Sequence, residues 1–184
     1  INLDANGNAS INAIDLDGGS TDNCSVASVV INKNNFDCSN VGANSVTLIV
    51  TDIFGNIDSC IATVTVVDTV TPKFTCLADK DTLIRTPDCS FIVPDYTSEV
   101  TDLFDNCDSA NVTYTQFPSA GTELTTDNTV ETITITATDA EGNSTICSFD
   151  VTVTCDRQVK VPQTFSPNGD GVNDAFVIRG IEYY

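Results

Sequence analysis

The 184-residue sequence predicts an all-β fold, made of antiparallel β-sandwiches in tandem and stapled by disulfides. Three observations predict it: 61 residues are Val, Ile or Thr against seven Leu, eight are cysteines, and the sequence repeats internally. β-branched side chains favour pleated strands over helices, because their restricted χ1 angle suits a half-buried sheet face.

The internal repeat shows that one fold is present twice. Three groups of residues recur in the same order: Asp22-Asn23-Cys24 as Asp105-Asn106-Cys107, Thr51-Asp52 with Gly55-Asn56 as Thr138-Asp139 with Gly142-Asn143, and Cys60 as Cys147. Asp52 to Cys60 and Asp139 to Cys147 are both eight positions, whereas the middle loop of the second copy is four residues longer. A repeat of this kind sets the domain organisation of the chain.

Each copy reads as short strands separated by turns. Apolar and polar residues alternate over 46–51 and 133–137, and a Gly-Asn turn then leads into returning strands at 57–67 and 146–154. Such alternation on both sides of a turn predicts a hairpin with one buried face. Earlier strands are expected over 9–15, 26–31, 90–93 and 112–116, with almost no helix.

Turn signals roughly every ten residues are typical of an immunoglobulin-like sandwich. Pro72 ends a strand, because proline cannot donate to the ladder, and a second boundary falls near 156–162. The predicted domains are therefore repeat 1 at 1–68, repeat 2 at 73–155, and a third unit at 162–184. The third unit, the opening strands of a further small β-domain, is too short to bury a core unaided.

Composition excludes several functions. The net charge of -19 repels phosphate backbones and anionic lipid, so nucleic-acid and membrane-surface binding are not expected, and cations are the favoured charged partners. The chain has no His, the usual general base at neutral pH, and no pocket is marked, so we expect no enzyme activity.

The cysteine content indicates an oxidising compartment outside the cytosol. All eight cysteines are expected in disulfides, and no CxxC pair suggests a metal cluster. No apolar stretch approaches the roughly 20 residues of a membrane helix, so direct membrane insertion is not expected. The chain begins in what reads as mid-strand and is expected to be a piece of a longer exported protein.

The two copies resemble hyalin-repeat (HYR-like) domains of bacterial surface proteins. The resemblance is carried by Phe74-Thr75-Cys76, Asp88-Cys89-Ser90, Asp105-Asn106-Cys107 and residues 136–143. The first copy lacks the two leading cysteines and has Cys38 instead, within residues 36–42. The family leaves the ligand open, because a fold does not fix a function.

The last residues resemble the opening of the type B C-terminal sorting domain of type IX secretion. The motif is Phe165-Ser166-Pro167-Asn168-Gly169-Asp170-Gly171-Val172-Asn173-Asp174, followed by residues 178–184. Proteins with stacked repeats before such a domain are often large adhesins, including those of gliding bacteria. The resemblance implies a secreted protein at the exterior of the outer membrane, whose partners are the type IX translocon or an outer-membrane attachment protein and the neighbouring repeats of its own chain.

One disulfide pairing is predicted from spacing. Cys24 and Cys38 flank one strand and its return loop, and a bridge between them would stabilise the fold by about 3 kcal/mol through chain entropy. The spacing leaves the pairing of the others open, including a bridge between the two copies: Cys60, Cys76, Cys89, Cys107, Cys147 and Cys155.

Acidic residues gather in the turns, which points to Ca²⁺ as a candidate cofactor. In a sandwich of this type the loop with Asp105 and the turn with Asp139 emerge at one end, beside the linker residue Asp68. Ca²⁺ prefers six to eight such oxygen ligands and would stiffen the junction. Asp22 and Asp52 are the corresponding candidates of the first copy. The alternative is that these carboxylates cap nearby backbone N–H groups in solvated turns.

A second candidate calcium loop lies near the end of the chain. Asn168, Asp170, Asn173 and Asp174 place oxygen side chains around Gly171, like part of a calcium loop, although Ser166 stands where an EF-hand has Asp. An Asx-rich turn between Phe165 and Phe176 would need the same residues, so both interpretations stay open.

The sequence as a whole is best interpreted as a non-catalytic stalk and export segment of a secreted cell-surface adhesin, used in gliding or attachment. Two other interpretations stay open. The chain could be the accessory region of a secreted hydrolase, or a carbohydrate-binding module in its own right.

Overall fold

The computed structural model describes residues 1–85, 89–125 and 129–156. In these residues the chain is all-β, as predicted from the β-branched composition. Thirteen strands occur in the described ranges: β1 Asn8–Ser10, β2 Val26–Ile31, β3 Asn35–Asp37, β4 Gly42–Asp52, β5 Ile57–Val66, β6 Lys73–Thr75, β7 Lys80–Ile84, β8 Ser90–Ile92, β9 Thr101–Phe104, β10 Thr113–Phe117, β11 Glu123–Thr125, β12 Thr129–Thr138 and β13 Ser144–Cys155.

Helical structure in these residues is limited to single turns. The helix α1 spans Ala13–Leu16, and 3-10 turns span Cys38–Asn40, Thr97–Glu99 and Ser109–Asn111. The predicted strand over 9–15 is therefore wrong beyond Ser10. Asn12 and Asp15 form a capping box, in which the Asn12 N–H donates to Asp15 Oδ2 at 2.7 Å, and this closes a helical turn instead.

The chain divides into two compact units. Unit 1 comprises Ile1–Phe74, Asp102–Thr113 and Ala137–Thr145, and unit 2 comprises Thr75–Thr101, Tyr114–Thr136 and the chain from Ile146 onward. Unit 1 therefore contains repeat 1 together with two loops of repeat 2. These units group residues that pack together rather than residues that were duplicated, so the bounds 1–68, 73–155 and 162–184 stay a prediction.

The core of unit 1 lies between two sheets. One sheet has the order β2-β4-β5 and the other pairs β1 with β3, both antiparallel. Phe36 of β3 packs in one buried cluster with Val46 of β4 and with Val64 and Val66 of β5. The alternation predicted for this hairpin is confirmed, because Val46, Val64 and Val66 all point inward at period two.

The core of unit 2 is built on a sheet of order β10-β12-β13-β7, and a second pair joins β8 with β11. Buried residues alternate along the two long strands, with Ile133 and Ile135 in β12 and Val151 and Val153 in β13 all fully buried. Phe149 completes this face with an edge-to-face contact to Tyr96, whose ring centroid lies 5.1 Å away.

Six of the eight cysteines form three disulfides, Cys38–Cys107, Cys76–Cys147 and Cys89–Cys155. The predicted Cys24–Cys38 pair is wrong, because Cys38 bonds Cys107. Cys24 and Cys60, which were also expected in disulfides, are exposed free thiols within this chain. Cys38 instead lies against residues brought in from the second repeat, with its Cα 5.3 Å from that of Cys107. One of the open alternatives, a bridge between the copies, is thus realised within unit 1.

None of the helices in the described ranges is long and apolar enough to cross a membrane. The third predicted unit at 162–184, with its sorting-domain motif, lies outside the described residues.

Candidate metal centre

Three turns of unit 1 each bring one aspartate into the interior. Asp68 follows β5, Asp105 follows β9, and Asp139 begins the turn between β12 and β13. Their relative exposures are 3%, 7% and 7%, and they are the buried charged side chains of the described part of the chain. Burying a carboxylate away from water is costly unless it is hydrogen-bonded or paired with a cation.

The turn 139–143 fixes the position of Asp139 through its own hydrogen bonds. The Asn143 N–H donates to Asp139 Oδ1 at 2.7 Å, and Asn143 Nδ2 donates to Asp139 Oδ2 at 2.9 Å. Gly142 adopts a φ of +91°, which only glycine adopts without strain. Asn143 Nδ2 also donates to the main-chain oxygen of Asp68 at 3.3 Å, so the turn is tied to the end of repeat 1.

A second turn positions Asp105 and Asn106. The N–H groups of Cys107 and Asp108 both donate to Asp105 Oδ2 at 3.0 Å. Asn106 Nδ2 donates to Asp68 Oδ1 at 3.1 Å and to the main-chain oxygen of Asp4 at 3.3 Å. The neighbouring disulfide Cys38–Cys107 holds the same turn covalently.

Carboxylates from two of these segments converge. One carboxylate oxygen each of Asp68, Asp139 and Glu141 lies within 4.8 Å of the other two. We call Asp68, Asp105, Asn106, Asp139 and Glu141 the acidic cluster. Three oxygens of the cluster are buried and have no hydrogen-bond partner: Asp68 Oδ2, Asp105 Oδ1 and Asn106 Oδ1. Buried oxygens are normally satisfied, so these three open acceptors indicate a ligand that accepts their lone pairs.

The electrostatics of the cluster favour a cation. Loss of solvation raises the pKa of Glu141, and the neighbouring charges of Asp139, Asp68 and Asp105 raise it further. The ion pairs of the described ranges, Lys80 with Glu99 and Arg85 with Asp156, involve no member of the cluster. Within the described residues, Coulomb repulsion among these acids is thus balanced by no ion pair to a basic side chain.

The donor set is suited to a hard divalent cation. It consists of carboxylate and amide oxygens, without nitrogen or sulfur, and such sets select Ca²⁺ or Mg²⁺ over transition metals. Four carboxylates and an amide arranged around open loops suit the larger, more flexible shell of Ca²⁺ better than the strict octahedron of Mg²⁺.

The structure brings together part of the predicted ligand set. Asp68 and Asp139 converge with Glu141, and Asp105 is buried in the neighbouring turn. That these residues bind calcium stays a prediction. Glu141 and Asn106 were missed, although each lies within two residues of a predicted ligand. Their closeness in sequence to Asp139 and Asp105 was the signal that could have included them among the predicted ligands.

Asp22 and Asp52 lie outside the cluster and act as turn caps. Asp22 Oδ1 accepts from the N–H groups of Cys24 and Ser25, and Asp52 Oδ1 accepts from those of Phe54 and Asn56. The side-chain hydrogen bond from Asn56 lowers the pKa of Asp52. These two residues thus fit the alternative of carboxylates that cap solvated turns.

The second candidate calcium loop is not described by the structure. Its four predicted ligands lie outside the described residues: Asn168, Asp170, Asn173 and Asp174.

No family model and no curated protein matches this chain. Among solved structures it is similar to the fibronectin(III)-like modules of CbhA from Clostridium thermocellum, with 14% identity over 84% of this chain and 89% of that one, at a TM-score of 0.33. It is also similar to human CDH23 EC21-23, with 22% identity over 65% of this chain and a TM-score of 0.31. A third similar structure is Drosophila N-cadherin EC1-4, with 19% identity over 61% of this chain and a TM-score of 0.32. The chain spans 46% and 31% of these last two. The fold assignment rests on the strands, sheets and cores described above.

Proposed function

We propose that this chain is a non-catalytic stalk segment of a secreted cell-surface adhesin, and that Ca²⁺ binds at its acidic cluster. The observation that carries the proposal is the set of three buried oxygens without partners, on Asp68, Asp105 and Asn106. The proposed ligands come from the end of repeat 1 and from two loops of repeat 2. A bound cation would therefore tie three chain segments together where the disulfide Cys38–Cys107 already ties two.

Rigidity at this place is what a stalk needs. A stalk transmits force through its covalent chain, and a segment between two repeats is the natural point of bending. Ca²⁺ binds the folded ligand set and not the unfolded chain, so it stabilises the folded arrangement by mass action, by about 2.7 kcal/mol at one hundred times its Kd. The disulfides serve the same purpose by constraining the unfolded chain.

A calcium titration of the 184-residue chain tests the proposal. We expect the thermal midpoint to rise between EDTA and millimolar Ca²⁺, and calorimetry to show a site that Asp139→Asn weakens at least tenfold. Asp52→Asn is the matched control, because Asp52 makes the same turn hydrogen bonds as Asp139 but lies outside the acidic cluster. An unchanged midpoint in Ca²⁺, or equal losses in both variants, contradicts the calcium site.

The export part of the proposal rests on the sorting-domain motif at 165–174. We propose that residues 163–184 direct the parent protein to the type IX translocon and an outer-membrane attachment protein. Deletion of this segment from the full-length protein should retain it in the periplasm, as measured by immunoblot of cell fractions. Normal surface display of the deleted protein contradicts this part alone and leaves the calcium site standing.

Binding of the isolated chain on a glycan array would favour the alternative of a carbohydrate-binding module. A single catalytic domain encoded upstream would favour the accessory region of a hydrolase, whereas many further repeats would favour the adhesin.

A further inference from the structure

The two free thiols occupy positions that are bonded in the other repeat. Cys24 corresponds to Cys107 and Cys60 corresponds to Cys147 in the internal repeat. Cys107 and Cys147 form disulfides, whereas Cys24 and Cys60 are exposed thiols. Each of these two positions therefore carries a disulfide in the second repeat and a free thiol in the first.

The loop before Cys24 is folded like the loop that bears Cys107. Asp22 Oδ1 accepts from the N–H groups of Cys24 and Ser25, at 2.8 and 3.2 Å. Asp105 Oδ2 accepts from the N–H groups of the corresponding residues, both at 3.0 Å. Cys24 is thus presented on the same local framework as its bonded counterpart.

The neighbouring turns 52–56 and 139–143 also share one hydrogen-bond pattern. In each, the Asn N–H donates to Asp Oδ1 and the Asn side chain donates to Asp Oδ2. Their surroundings differ at the aspartate: Asp139 is buried, whereas Asp52 is only partly buried. The difference lies in what covers the two aspartates and not in the conformation of their turns.

The loops of the second repeat are contacted by residues that precede them in the chain. In unit 1, Asn106 contacts the main chain of Asp4, the carboxylate of Asp68 and the sulfur of Cys38, all from repeat 1. In unit 2, Cys147 is buried and bonded to Cys76, the residue after β6. Each covering cysteine precedes its partner in the chain, by 69 and 71 residues respectively.

We propose that Cys24 and Cys60 are bonded in the parent protein to two cysteines that precede Ile1. The partner of Cys24 lies in a preceding module of the same kind, which docks on the loops 22–24 and 52–56, and the partner of Cys60 lies in the leading segment of its own module, as Cys38 and Cys76 do for Cys107 and Cys147. A separation of about 70 residues places both partners before Ile1, since 24 and 60 are both smaller than 69. Successive modules are then joined by a ladder of disulfides, one at each junction as between Cys38 and Cys107, and each module offers its loops to the one before it. The inference does not depend on calcium.

The strand register also places the partner of Cys60 before Ile1. β13 runs parallel to β7, with Thr154 opposite Leu83. Val67, which corresponds to Thr154 in the repeat, makes a parallel bridge to Asn2. Leu83 comes seven residues after Cys76, so the segment that corresponds to Cys76 also precedes Ile1.

An open groove marks where that segment would lie. A cavity of about 290 Å³ is lined by Leu48, Val50 and Cys60 of the β4–β5 pair, together with the loop residues Ser20 and Thr21. Leu48 is opposite Cys60 in the ladder, so the thiol lies at the margin of the apolar face. A strand-like segment that carries a cysteine would cover this margin, as the corresponding segment covers Cys147.

The bonds form by thiol–disulfide exchange. For each bond, a protein thiolate attacks an external disulfide and releases one thiol, and the second protein thiol then displaces the other. Two protein thiols thus lose two electrons and two protons, and one small-molecule or protein disulfide is reduced to two thiols.

Peptide mapping of the full-length protein from its native source tests the ladder. Cleavage on the N-terminal side of aspartate separates all eight cysteines into different peptides. Under non-reducing conditions, the peptides 22–36 and 58–67 should each be joined to an upstream peptide, whose cysteines lie about 69 and 71 residues earlier. Recovery of Cys24 or Cys60 as alkylated free thiols, bonded to each other, or bonded to a second copy of these same peptides overturns the proposal.

Single substitutions in the full-length protein make the assignment specific. Cys24→Ser should leave the upstream partner of Cys24 open to alkylation and keep the bond of Cys60. Cys60→Ser should leave the upstream partner of Cys60 open to alkylation and keep the bond of Cys24. Release of neither upstream thiol, or of the same one in both variants, also overturns it.

Discussion

Gly7 shows how a single residue permits the close contact inside unit 1. A Cβ atom at Gly7 would lie 2.6 Å from the main-chain oxygen of Asn106 and 2.6 Å from Cys38 Sγ. Its φ of +74° is also a conformation that L-residues rarely adopt. Neither neighbour can yield easily, because one is backbone and the other is held in a disulfide.

Gly7→Ala should destabilise the protein by about 2–4 kcal/mol, from the left-handed conformation and from overpacking. Gly55→Ala is the control. Gly55 has a similar φ of +88°, but a Cβ atom there would meet no described atom within 4 Å, so this change should cost only about 1–2 kcal/mol. Urea unfolding of both variants measures the difference. Equal losses would show that the contact with Asn106 and Cys38 is not tight.

Glu141 gives the acidic cluster a distinct pH dependence. Its pKa is raised above the ordinary 4.5 by lost solvation and by three neighbouring aspartates, so the folded state binds this proton more tightly than the unfolded state. In EDTA the charged group therefore destabilises the fold at neutral pH, and the penalty disappears as the pH falls through the raised pKa towards 4.5.

Glu141→Gln should consequently be more stable than the native chain at pH 7 in EDTA, and the difference should vanish near pH 4. In saturating Ca²⁺ the order at pH 7 should reverse, because the variant has lost a ligand. Urea unfolding across this pH range checks both. A native chain that is the more stable one in EDTA at pH 7 would contradict the repulsion within the cluster.

The elements that bear these residues were largely foreseeable. The alternation of apolar and polar residues predicts β4, β5, β12 and β13, because a strand between core and solvent has a period of two. The prediction of a strand over 9–15 is wrong beyond Ser10, because the capping box of Asn12 and Asp15 is a local signal that outweighs a short apolar alternation.

The disulfide Cys38–Cys107 joins two distant segments of unit 1. Replacing Cys38 and Cys107 together by Ala should cost about 4 kcal/mol, the chain entropy of a loop of about 70 residues. Cys24→Ala removes an exposed free thiol and should change stability by less than about 0.5 kcal/mol. Chemical denaturation compares them, and a double variant as stable as Cys24→Ala would mean that the bridge does not form.

At the scale of the whole molecule, a net charge of -19 on 184 residues makes the folded state repel itself. In EDTA, raising NaCl from about 20 to about 500 mM should increase the thermal midpoint, because the screening length falls from about 20 Å to about 4 Å. The gain should be smaller in Ca²⁺, where part of the charge is already neutralised. Scanning calorimetry tests this, and a midpoint that falls with salt would show that attractive pairs dominate.

The sequence by itself determined the all-β class, the internal repeat and the choice of Asp68 and Asp139, which converge in the acidic cluster, because strand periodicity, turn chemistry and repeated motifs are local properties of the chain. Only the tertiary structure decided that Cys38 bonds Cys107 rather than Cys24, and that Glu141 and Asn106 join the cluster. It also decided that the aspartate of one turn, Asp139, is buried, whereas its counterpart Asp52 in the other repeat is only partly buried. Disulfide pairing and burial depend on which distant segment packs against a turn. Two copies with the same local sequence motifs differ in that segment.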